Sequence, residues 1–145
     1  MWTTQHQGAT AVASNFVWDA LAALHSGTPL GPQSDSFTLH GPLAVGTTLT
    51  ITPQGQDPME SKIVALEPGR VYADETRFGD LVLTFRHDLI PTDEGGTAVT
   101  HSLTIAGAEA DEVGPELGPQ ISADFPSTMN ELLDAARRLS EGDRL

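Results

Sequence analysis

From Ser36 to Ile105 the chain is a succession of short alternating runs with no gap long enough to hold a helix. "SFTLHG", "TTLTITP", "SKIVALEPG", "RVYADETRF", "LVLTFRHDLI" and "TAVTHSLTI" follow one another, separated by Gly, Pro or short polar turns. Parallel neighbours need a crossover of roughly a dozen residues or more, so strands joined this tightly must run antiparallel. In "TTLTITP" the threonines share one face while Leu49 and Ile51 share the other, as in a half-buried strand. A weaker run, Thr3 to Val12, precedes them, which gives six or seven strands.

Such a sheet has one oily face that something must cover. "ASNFVWDALAALHSG" switches to helical spacing, with Ser14 or Asn15 as cap, Val17, Trp18, Leu21 and Leu24 on one side, and Gly27 as the stop. Between Asp111 and Glu141, Ile121, Phe125, Met129, Leu132, Ala136 and Leu139 advance by three or four, which places them on one face of a long helix. Pro115, Pro119 and Pro126 predict that its first half is irregular or kinked near Phe125. The expectation is one α+β domain over residues 1–145, a curved antiparallel sheet wrapped around the C-terminal helix. A cavity is expected where the two do not meet.

Composition narrows the partners. Twenty acidic residues face seven basic ones, for a formal charge of −13. A surface so negative repels phosphate backbones and anionic headgroups, which argues against nucleic acid and favours a neutral, apolar or cationic small molecule. The chain has no cysteine, which removes thiolate chemistry and disulfides. "MWTTQHQGATAV" has neither a basic segment nor an apolar run, so no signal peptide is expected, and no run suits membrane insertion. A cytoplasmic protein follows as the expectation, as a monomer or a homodimer. "EVGPELGPQ" lacks the lysine of a phosphate loop, and no cofactor motif or metal-ligand spacing is present.

The histidines carry the chemistry. In "LVLTFRHDLI", His87 shares a face with Leu81, Leu83, Phe85 and Leu89; in "TAVTHSLTI", His101 shares one with Val99, Leu103 and Ile105. If Leu89 pairs with Val99 across "PTDEGG", the same register sets His87 directly opposite His101. Burial and a like neighbour depress an imidazole pKa, so both rings are expected to be neutral near pH 7. Three roles remain open: a mutually satisfied structural pair, polar groups that orient a ligand, or an acid–base pair with His87 as base and His101 as its partner. Zinc would need Glu75 or His40 as a third ligand. On "RVYADETRF", either Tyr72, Asp74 and Thr76 or Val71, Ala73, Glu75 and Arg77 face inward. His40 is expected on the surface, and His25, at the end of the first helix, as a cation suited to the helix dipole.

Four segments, in this order, resemble the START-like (SRPBCC) superfamily and its polyketide cyclase/dehydrase group. They are "ASNFVWDALAAL", "LHGPLAVGTTLTITP", "IVALEPGRVY" and "LIPTDEGGTAVTHSLTIAG", with a proline-bearing helix to close. The likeness runs from about Ala9 to Leu139 and implies a helix-grip fold with a hydrophobic ligand cavity. Within it, Trp18, Phe37, Leu39, Leu49, Ile51, Phe85, Leu103, Phe125 and Met129 are expected to line the pocket, and His87 and His101 to supply polar or catalytic groups. The alternatives are a non-catalytic carrier, or a filled fold that acts through protein–protein contacts on its acidic surface.

Overall fold

The computed structural model describes residues 1–145. Seven strands form one antiparallel sheet: β1 (Trp2–Thr10), β2 (Ser36–Leu39), β3 (Thr48–Thr52), β4 (Met59–Glu67), β5 (Val71–Phe78), β6 (Leu81–Pro91) and β7 (Thr97–Ala106). Their order is β1-β7-β6-β5-β4-β3-β2, a meander from β2 to β7 with β1 returned to the far edge. Helix α1 (Ser14–His25) crosses between the two edges. The C-terminal segment is two helices, α2 (Ala110–Ile121) and α3 (Phe125–Ser140), joined by a 3-10 turn over Ser122–Asp124. The expected break near Phe125 is this turn, and Pro126 opens α3, where a missing N–H costs nothing.

The weakly patterned first run is a strand, the nine-residue β1. One expectation needs correcting. Neither Ser14 nor Asn15 caps α1; Ala13 flanks it, and no side chain bonds its first turn. The chain is instead held there from outside. Gly96, in the β6–β7 turn, lies so close to the Thr10 carbonyl that a Cβ there would overlap it. The next residue, Thr97, is fully buried and donates from Oγ1 to the Val12 carbonyl at 2.8 Å. "GGT" thus ties the β6–β7 hairpin to the entry of α1. Thr97→Val keeps the shape but orphans that carbonyl, and should lower stability by about 1–2 kcal/mol in urea unfolding.

The sheet's inner face is covered in two patches. Val17, Ala20 and Leu21 of α1 pack with Met129, Leu132 and Ala136 of α3 over Leu49, Ile63, Leu89 and Val99. At the other end Leu81, Leu83, Leu103 and Ile105 pack against Ala110 and Phe125, with Val113 and Leu117 of α2 alongside. A register shift in β4 between Ile63 and Ala65 marks a bulge, a device that bends and twists a sheet. Between the two patches the helices and sheet do not close completely. No helix is long and apolar enough to cross a membrane.

Candidate functional site

The space left between sheet and helices is a chamber of about 580 Å³. A second depression of about 870 Å³, beside Lys62, Glu75 and Arg77, is more open to solvent and shares only Gln56, Met59 and Phe78 with the chamber. The chamber is where the chemistry gathers, and strand register puts it there.

Leu89 pairs with Val99 and His87 with His101, as the sequence predicts. The same row continues outward, because His101 pairs with His6 of β1 and His87 with Tyr72 of β5. Four adjacent strands therefore present His6, His101, His87 and Tyr72 on one transverse line. The His87 and His101 rings stack with centroids 3.9 Å apart and planes 17° from parallel. Phe125, at the start of α3, stacks on the far side of His101 at 3.8 Å. Neither imidazole of the pair bonds to the protein, and each borders the chamber.

His25 is not a surface cation. It is 4% exposed, and its ring lies 3.9 Å from Tyr72, 4.8 Å from Phe37 and 6.2 Å from His87. Its Nδ1–H donates to the Leu21 carbonyl at 2.9 Å. A carbonyl can only accept, so in the neutral ring Nε2 is left as a bare acceptor. Burial lowers the pKa of His25 to about 4, against the small opposing effect of that hydrogen bond. Burial, then the fields of His25 and His6, lower that of His101 to about 3. His87 is pushed well below its ordinary value by burial, then by His101 and His25. Three neutral imidazoles therefore border the chamber near pH 7.

On β5, Tyr72, Asp74 and Thr76 face the chamber, while Glu75 and Arg77 pair outside it at 3.3 Å. Asp74 is 2% exposed. Its Oδ2 accepts from the Tyr72 hydroxyl at 2.9 Å, and its Oδ1 has no partner. Burial raises its pKa to about 7, with the Tyr72 hydrogen bond pulling the other way. Tyr72 is held well above its ordinary value by burial and by Asp74. With Glu75 outside, and His40 exposed and bonded to Thr50 at 2.7 Å, neither expected zinc ligand reaches the histidine pair.

Of the apolar residues expected at the pocket, Phe37, Ile51, Phe85 and Phe125 border the chamber. Trp18, Leu39, Leu49, Leu103 and Met129 do not. Leu49, Leu103 and Met129 are sealed in the two packed patches, and Trp18 and Leu39 lie against the first of them. Met129 occupies the space a side chain at position 8 would need, which glycine leaves free.

No protein-family model matches the sequence, and no curated protein matches it. Solved structures do match in shape. A norcoclaurine synthase point mutant from Thalictrum flavum superposes with a TM-score of 0.75 at 13% identity, covering 96% of each chain. The Zhui aromatase/cyclase from a Streptomyces species gives 0.69 at 16% identity over 94% of each. Ara h 8.0201 gives 0.65 at 18% identity over 92% of this chain and 98% of that one. All are helix-grip proteins. This chain has the helix-grip fold, α+β, with a seven-stranded antiparallel sheet against its C-terminal helices.

Proposed function

We propose that the protein binds a hydrophobic or aromatic small molecule in the chamber, with His87 and His101 as the hydrogen-bonding groups that orient it. The carrying observation is a pair of stacked, neutral imidazoles that border open volume and have no bond to the protein. A buried polar group left without a partner costs roughly 1–3 kcal/mol, so a site that leaves two such rings unbonded is suited to a ligand that completes them. Phe37, Phe85 and Phe125 supply apolar and aromatic wall beside them.

The catalytic form of this reading is a polyketide cyclase/dehydrase-type reaction, and one solved structure of like fold is named an aromatase/cyclase. Here the imidazoles act as neutral donors to a ligand carbonyl. Burial and neighbouring imidazoles hold both rings below their ordinary pKa, which favours polarisation of the carbonyl by both, beside the alternative of His87 as base and His101 as its partner.

Calorimetric titration with single-ring and two-ring aromatic ketones tests the binding. His87→Phe and His101→Phe keep the ring stack and remove the polar atoms, and each should weaken binding about tenfold to a hundredfold. Affinities unchanged in both variants would make the pair purely structural. For the catalytic form, equal turnover of a poly-β-ketone mimic by the wild type and His87→Ala would exclude a chemical role.

A further inference from the structure

We propose that the occupant of the chamber is a cation, an aromatic body bearing a protonated amine, and that Asp74 is its inner hydrogen-bond acceptor. This rests on the small-molecule reading above and adds the charge of the ligand to it.

The first observation is Asp74 itself. The side chain is 2% exposed and borders the chamber, has one oxygen occupied by the Tyr72 hydroxyl, and leaves Oδ1 buried without a partner. Within the fold that oxygen has no donor. Neither His25, bonded to the Leu21 carbonyl, nor His87 donates to it. The oxygen is therefore free for a donor brought in from outside.

The second is the charge of the lining. Asp35, Asp74, Asp124 and Glu131 border the chamber, and no lysine or arginine does. Glu131 is already engaged, accepting from the Gln33 backbone N–H at 3.0 Å and lying 3.5 Å from the Ser34 hydroxyl. Asp35 and Asp124 are not bridged by any cation, and the charge of Asp124 helps raise the pKa of Asp35. Four of the six arginines are paired with carboxylates outside the chamber: Arg77 with Glu75, Arg86 with Asp88, and Arg137 and Arg138 with Asp134. A carboxylate or phosphate ligand would enter a space that holds only like charge and resists protonating its histidines. An ammonium group meets carboxylates in a wall that also holds the aromatic rings of Tyr72, Phe85 and Phe125, whose quadrupoles attract cations.

Titration of the full chain at pH 8 and low salt with 2-phenylethylamine, 2-phenylethanol and 3-phenylpropanoate separates the possibilities. The amine should bind at least tenfold more tightly than the alcohol, and the carboxylate most weakly. Asp74→Asn should bring the amine down to the level of the alcohol while the alcohol's affinity stays the same. A double variant at the mouth, Asp35→Asn with Asp124→Asn, leaves the interior intact and should weaken the amine severalfold, an effect that salt mimics in the wild type. Equal affinities for amine and alcohol, or a preference for the carboxylate, would overturn the cation and leave the small-molecule reading standing. Failure of all three probes together with the aromatic ketones would overturn both.

Discussion

Lowering the pH from 7 to 5 should strip about 3 kcal/mol from the folding stability, a large share of the roughly 5–15 kcal/mol that single domains have. His25, His87 and His101 each have a folded pKa below the ordinary 6.5, about 4 for His25 and about 3 for His101. Between those values and 6.5 the unfolded chain takes up protons that the folded chain refuses. Their contribution is therefore present above pH 6.5 and lost as pH falls below it. By pH 5 each imidazole removes about 2 kcal/mol. Asp74 opposes them, because its folded pKa is raised to about 7. Between pH 7 and the ordinary carboxylate range the folded state holds a proton there that the unfolded state has released, which returns about 2 kcal/mol by pH 5. Urea unfolding from pH 5 to 8 should thus show stability rising with pH, with about two net protons taken up on unfolding near pH 5.5. His101→Phe should remove one of them and gain about 2 kcal/mol on the wild type at pH 5, with little difference at pH 8. Asp74→Asn should act the other way round, and gain most at pH 8. A flat profile between pH 5 and 7 would mean that the rings are wet and protonate freely.

The part of this cluster that the sequence discloses is the part fixed by one hairpin. Alternation gives the faces of β6 and β7, and pairing Leu89 with Val99 leaves no freedom for His87 and His101. The face of β5 was within reach by the same route. Phe78 pairs with Leu81 across Gly79 and Asp80, and Gly79 has a φ of 61°, so the turn has only two residues. Counting back from a two-residue "GD" turn places Tyr72 opposite His87, and so Asp74 inside. His25 also left a trace, since Val17, Leu21 and His25 are spaced by four and share the buried face of α1. A local argument from the helix dipole gave it a charge; the tertiary fold places that helix end over Tyr72, where the charge cannot survive.

What alternation cannot supply is the division between filled core and open chamber. Leu49 and Ile51 lie on the same face of the same strand, yet the first is sealed under α1 and α3 and the second borders the cavity. That depends on where each helix rests on the sheet, which is set by contacts distant in sequence. β1 was faint for a related reason. Its inner face reads Trp2, Thr4, His6, Gly8 and Thr10, and it is held less by apolar alternation than by pairing with β7 and by helices pressed closely against it.

That close approach gives the second large effect. Gly118→Leu should destabilise the protein by about 3 kcal/mol, the upper end of what forcing extra volume into a packed site costs. Gly114 and Gly118 sit four apart in "EVGPELGP", on the side of α2 that rests on Trp2, and a Cβ at either position would overlap the Trp2 side chain. Helix propensity alone predicts the opposite sign for the milder change, since Gly→Ala inside a helix gains about 1 kcal/mol. Gly118→Ala is therefore a test of which effect governs. Stabilisation would show that α2 lies free of the indole, and loss that the helix is seated on it. Trp2→Ala should relieve the strain of Gly118→Leu, so that the double variant loses less than the two single losses together, with a coupling of about 1–3 kcal/mol. The consequence reaches the chamber, because Leu117, Gln120 and Ile121 of the same helix border it on the face next to the glycines. A helix lifted from Trp2 carries that wall away from His101 and Phe125, so Gly118→Leu should also weaken aromatic ligands at temperatures where the protein remains folded.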